Sequence, residues 1–469
     1  MAQNKSRGNE RRGCAGELMQ MATEIAKQED LYSQAFGALQ ESGRDRGASW
    51  IKRLRENAMD RFKEIGFPSV KEEEWKYTNV APIARIDFNP SVFSDAAATK
   101  SDAKEFASFN YVEAQQSQLV LVNGILRNDL SSLSGLSDDV VVIDLSQAIA
   151  DARYSEIVRE HLARGADYIS NGFTALNTAF IANGAFVYIP KNVKVEAPIH
   201  LLLISNTVQA NTAMFPRVLV VAEENSSASV IESYASTDDE LYFTNAVVEI
   251  VLKDGARLNH YKVQRESTKA FHVATTNVEL GPNSSYDATT ITFGAQLSRH
   301  DISVIMDHEG AECWVDGLYI VSTGQHADTH SVIDHKRPHC TSHQLYKGIL
   351  DGKSRAVFNG KIFVRHDAQK TDAMQTNKNL LLSNEARVDT KPQLEILADD
   401  VKCAHGAAVG QIDEEELFYL ETRGIHHDLA RNLLTYGFAE EVIGKITVGS
   451  LRTQLDEAVL HRLNARLEA

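Results

Sequence analysis

The sequence predicts a mainly β protein, built as a solenoid of stacked rungs with α-helical regions at both ends. Three observations predict it. From about Phe180 to Val409 the chain has almost no helical period. Short alternating runs of four to eight residues recur there instead, each bounded by Gly, Asn, Asp or Ser. The turns between them return roughly every 26–30 residues, the spacing of a coiled rung.

The elements follow in chain order. Residues 1–65 read as helical. Trp50, Leu54, Ala58 and Phe62 recur at spacing four, with Ile51 and Ile65 beside them, which makes one apolar stripe. Gly66 and Pro68 stop that helix. Residues 66–175 read as mixed, with strand-like runs at Leu119–Val122 and Val140–Ile143 and helical runs at Ser146–Ile149 and Ser155–Ala163.

The solenoid core is assigned to 176–410. Its turns are marked at Gly184, Asn225, Gly255, Asn283, Gly310 and Gly352. A rung cannot bury its own inward face, so it must stack on its neighbours. A β-sandwich is the competing architecture, but about 230 residues of uniform short strands is long for one sandwich.

Residues 411–469 return to helical pattern. Asp413 with Glu416 reads as a helix start, and Gly424 as a helix stop. A second helix carries Leu429, Leu433, Leu434, Val442 and Ile443. A third carries Leu451, Leu455, Val459, Leu463 and Leu467. This tail could cap the solenoid end or offer an apolar face to a partner.

Composition narrows the function. Of 469 residues, 43% are hydrophobic and 24% charged, which is enough to bury a sizeable core. The net charge of −16 gives no electrostatic case for wrapping nucleic acid or for adhering to anionic membranes. No run approaches the length of about 18 apolar residues needed to span a bilayer. The N-terminus is basic but lacks the apolar stretch of a secretory signal, and the acidic run that follows argues against a transit peptide. Cys14, Cys313, Cys340 and Cys403 are scattered, which points to a reducing, cytoplasmic setting rather than a disulfide framework.

Nucleotide-cradling Gly-x-x-x-x-Gly-Lys-Ser/Thr, Gly-x-Ser-x-Gly, His-Glu-x-x-His and Cys-x-x-Cys are all absent. Two polar clusters remain. His326, Asp328 and His330 alternate and would share one face of a strand, with His335, His339, Cys340 and His343 close behind. Their spacing matches no standard zinc signature, so a hydrogen-bonded outer face is the plainer reading. Cys403 and His405 lie two apart, and both would project from the same side of a strand. A thiolate and an imidazole suit iron or zinc, and the imidazole could lower the thiol pKa. Taken alone, an inert core cysteine is the plainer reading. Two ligands cannot hold a metal alone, so any further ligands would come from another chain.

A long stretch then resembles a known family. Gly348-Ile349-Leu350, Phe358-Asn359-Gly360-Lys361-Ile362, Ala368-Gln369-Lys370-Thr371, Gln375, Asn377, Asn379 to Ser383, Pro392, Leu394-Glu395-Ile396 and Asp400 to Ala407 closely resemble the SufB/SufD family of iron–sulfur cluster assembly proteins. So does Glu73-Glu74-Trp75-Lys76-Tyr77-Thr78. Gly406 follows His405 where the SufB branch tends to be acidic, and Leu420 stands where SufB-like chains carry a cysteine, so the likeness is to the SufD branch.

The resemblance implies a right-handed parallel β-helix and a non-catalytic scaffold subunit of a SufBCD-type complex. It implies pairing with a SufB-like subunit, with a homodimer as an option for the isolated chain. It implies that the SufC ATPase docks on the C-terminal helices, through Leu429, Leu433, Leu434, Phe438 and Val442. Cys403 and His405 would meet a nascent iron–sulfur cluster, as transient cargo, at the interface with the SufB-like subunit. This chain would bind no nucleotide. The first 40 or so residues, with Cys14, have no counterpart in the family, and the His426-His427-Asp428 turn is unusual for it. The rival functions are a carbohydrate-active β-helix enzyme, which 7% aromatic content does not favour, and a structural solenoid without a metal role.

Overall fold

Each rung of the chain contributes one strand to each of two sheets, so strands that are next-but-one in sequence lie side by side. The computed structural model describes residues 31–41, 48–91, 103–182, 184–206 and 211–465. One sheet has eleven strands and ends on Arg387–Ile396. The other has ten and ends on Lys402–Gly410. Pairing is parallel throughout the solenoid, with antiparallel contacts only at its N-terminal end. The register offset from one rung to the next runs from 26 residues (Phe271 on Leu297) to 33 (Gly184 on Arg217).

The corners follow from backbone sterics. Asn225, Gly255, Asn283, Gly310 and Gly352 all have positive φ, a region that Gly and Asn enter at least cost. These corners also stack closely. A Cβ on Gly255 would sit 2.6 Å from Asn225 Oδ1, and one on Gly310 would sit 2.6 Å from Asn283 Oδ1. The alternating strands turn Val218, Val220, Ala246, Val248, Ile250, Ala274, Val278, Ile302 and Val304 into the lumen, where they form one continuous core.

The helices are α1 (Ser49–Ile65), α2 (Ala81–Arg85), α3 (Leu145–Ala150), α4 (Ser155–His161), α5 (Gly172–Ala179), α6 (Glu414–Thr422), α7 (His427–Ile443) and α8 (Gly449–Ala465). Within the region 1–65 that reads as helical, the described residues 31–41 form one helical segment and Ser49–Ile65 another. Residues 1–30, with Cys14, fall outside the described residues. Gly66 ends α1 with its N–H on Phe62 O at 2.7 Å. Ala58, Met59 and Phe62 of α1 join Phe173 and Leu176 of α5 over an outward column of Phe215, Phe243, Phe271 and Leu297.

The C-terminal helices cover a flank rather than an end. Asp413 caps α6 by accepting from the N–H groups of Glu415 and Glu416, and Gly424 has φ +83°. Ala439, Val442, Ile443, Leu451, Leu455, Val459 and Leu463 pack on Tyr261, Val263, Ile291, Phe293, Leu318 and Ile349, along the outside of the ten-stranded sheet. Leu467 falls outside the described residues. The tail therefore does not close the last rung. Both terminal strands pair on one side only, and Lys402–Gly410 is exposed along nearly its whole length.

Candidate functional site

The open rung is where Cys403 and His405 stand. In the register, Cys403 faces Ala373, His405 faces Gln375, Ala407 faces Asn377 and Val409 faces Asn379. All four partners are buried. Cys403, His405, Ala407 and Val409 therefore continue the lumen face at the point where the next rung is missing. Val388 and Leu394 of the other terminal strand pack beside Cys403 against the core. The interior of the solenoid is thus laid open, with a row of unpaired backbone groups along its rim.

Cys403 is half-buried and His405 is exposed. Burial pushes the Cys403 thiol up from its ordinary value. Among the described residues, no group of three or more His, Cys, Asp or Glu side chains is placed to hold a metal ion. The two donors at the open rung have the right chemistry for iron but make half of a ligand set.

The histidine-rich segment does something else. His326, Asp328 and His330 lie outward on the eleven-stranded sheet and hold down the segment Glu73 to Thr78. Thr78 Oγ1 is 2.9 Å from His326 Nε2 and donates to Asp328 Oδ2 at 2.5 Å. Arg299 Nη1 donates to Asp328 Oδ2 at 2.6 Å and to the Glu74 carbonyl at 2.9 Å, and its guanidinium lies 4.1 Å from the Trp75 ring. A buried guanidinium at the centre of the cluster leaves no place for a cation.

Glu74 is pulled down to about 2, chiefly by its hydrogen bond to His330, with Lys361 adding to the effect. Burial opposes a charge on His330, yet Asp328 and Glu74 hold its pKa above the ordinary value. The remaining members of the segment are dispersed. His335 is buried on Ser342 Oγ at 2.8 Å, His339 occupies a corner, and His343 stacks on Trp314. A cleft of about 570 Å³ opens beside this network. The carboxylates that line it are Glu72, Glu73, Glu74, Asp167 and Asp301. Lys391 engages Glu73, Lys361 and His330 engage Glu74, and Arg299 engages Asp301.

The C-terminal helices expose a separate apolar surface. Leu429 and Leu433 of α7 are 52% and 44% exposed. Leu434 and Phe438 are partly buried, and Lys347 Nζ sits 4.0 Å from the Phe438 ring. Val442 is a correction to the sequence reading. It is fully buried in the helix–sheet core, so it supports this surface without forming it. Phe418 and Tyr419 of α6, 66% and 56% exposed, were missed. The signal was present, since burying Leu417 turns its two neighbours outward on a helix.

Two family models cover most of the chain. The SufBD protein N-terminal region matches residues 26–201, and the SufBD core domain of the SUF system for FeS cluster assembly matches 204–438. An iron–sulfur cluster assembly SufBD family protein of Synechocystis is 36% identical over 86% of this chain and 89% of its own length. The iron–sulfur cluster assembly protein SufD of Escherichia coli is 32% identical over 87% and 91%. The assembly protein SufB of Bacillus subtilis is 30% identical over 61% of each chain.

Proposed function

The chain belongs to the SufBD family of iron–sulfur cluster assembly proteins, and on that premise we propose that it is a non-catalytic scaffold subunit of a SufBCD-type complex. The observation that carries the reading is the uncovered last strand, Lys402–Gly410, with one imidazole and one thiol on its lumen face. A SufB-like chain completes the rung. His405 offers a nitrogen to the iron of the forming cluster, and Cys403 loses its proton to a metal more readily than to water. The cluster is cargo, held between two chains and passed on.

The solenoid is a stiff lever, since every rung is packed on the next. The exposed face of α6 and α7 receives the ABC-type ATPase SufC, whose hydrolysis of ATP shifts one solenoid against the other. No helix among the described residues is long and apolar enough to cross a membrane. A reducing, cytoplasmic setting is part of the proposal and rests on the scattered cysteines.

The docking surface provides the test. Phe418→Asp with Leu429→Asp puts two charges into an apolar contact, where each is expected to weaken binding by about tenfold or more. Co-purification with SufC is expected to fall away while the SufB-like chain is retained. Undiminished SufC in the purified complex would remove α6 and α7 as the docking site.

A further inference from the structure

A polar column runs through the lumen and stops one rung short of His405. Ser331 Oγ donates to Gln344 Oε1 at 3.1 Å, and Gln375 Nε2 donates to the same oxygen at 2.7 Å. Gln344 pairs in register with Gln375, and Gln375 pairs in register with His405. Gln375 is 1% exposed, and its Oε1 is buried without a hydrogen-bond partner. A buried carbonyl oxygen normally has a donor. The fold also makes room for this amide. A Cβ on Gly360 of the facing sheet would lie 2.3 Å from Gln375 Nε2 and 2.8 Å from its Cδ.

As the amides stand, Gln344 Oε1 accepts from Ser331 and from Gln375, which leaves Gln344 Nε2 and Gln375 Oε1 both buried without a hydrogen-bond partner. The next rung lies about 4.8 Å along the sheet, within reach of an imidazole. We propose that Gln375 is a positioning residue for His405, whose ring N–H donates to Gln375 Oε1. A neutral imidazole has one N–H and one lone pair. Holding the N–H inward fixes the tautomer and presents the lone pair at the open rung. This is the arrangement by which a carbonyl sets the orientation of a ligating histidine. A carboxylate at position 375 would instead stabilise the imidazolium, which has no lone pair to offer. The inference rests on the reading of His405 as a ligand.

The test uses the full chain with isotope-labelled histidine, and His405→Ala identifies the signal. Long-range proton–nitrogen spectra are expected to show one neutral His405 tautomer in the native chain. Gln375→Leu and the volume-matched Gln375→Met are expected to give a mixture of both tautomers. Gly360→Ala, which displaces the amide, is expected to shift the ring in the same sense. In the complex with a SufB-like chain, Gln375→Leu is expected to lower iron(II) affinity by about 10- to 100-fold. A His405 tautomer that is unchanged in folded Gln375→Leu and Gln375→Met chains would overturn the proposal. A tautomer shift together with iron affinity unaffected by Gln375→Leu and by His405→Ala would retain the contact and overturn the ligand role.

Discussion

His405→Ala is expected to reduce the cluster reconstituted on the complex by about tenfold or more, while leaving the fold intact. The two halves of this expectation come from the same geometry. His405 is exposed on the last strand, outside the buried core. Surface substitutions of this kind usually change stability by about 0.5 kcal/mol or less. The loss is chemical. The open rung has one imidazole and one half-buried thiol, and burial pushes that thiol up from its ordinary value. Without His405 the rung keeps one donor of two, and the partner's ligands face an alanine. Visible absorbance of the reconstituted cluster, read beside the thermal unfolding curve, checks both halves. Full cluster yield from an intact complex would remove the assignment.

Glu249→Leu is expected to do the opposite and cost the fold about 3–5 kcal/mol. Glu249 sits in the strand Tyr242–Leu252 and is almost wholly buried. Its carboxylate accepts from the backbone N–H groups of Ala163, Arg164, Gly165 and Ala166 at 2.8 to 3.2 Å, and from Arg217 Nη2 at 2.5 Å. Removing it orphans four amides and leaves a buried guanidinium without its counter-charge.

The loop at 163–166 would lose its anchor to the solenoid, and with it the lead into α5, which packs on α1. The double variant Arg217→Met with Glu249→Leu removes both charges and is expected to recover part of the loss. Denaturant unfolding of the three variants measures this. A Glu249→Leu chain within about 1 kcal/mol of the native one would show that the carboxylate is not a keystone.

Much of the solenoid was legible because its constraints are local. Asn225, Gly255, Asn283, Gly310 and Gly352 could be read as corners, since positive φ restricts which residues fit. Alternation placed Cys403 and His405 on one face before any coordinates. What stayed hidden depends on residues distant in sequence. His326, Asp328 and His330 read as a hydrogen-bonded outer face, but Arg299 at its centre and the segment Glu73 to Thr78 that it holds down could not be read from their spacing. Val442 looked like part of a docking face, but its side of α7 is the side laid on the sheet. Glu249 left one trace, a single charge in an apolar strand, while its amide partners lie more than eighty residues earlier in the chain. Above all, the sequence of the tail does not say whether the helices close the last rung or lie along its flank, and that choice decides whether Cys403 and His405 can meet another chain.

Amide hydrogen exchange across Lys402–Gly410 measures this most directly, in the chain alone and after addition of a SufB-like subunit. The outer amides of this strand are expected to exchange rapidly in isolation and to become strongly protected when the second solenoid docks. Equally rapid exchange in the assembled complex would mean that no chain completes the rung, and the shared site would have to be abandoned.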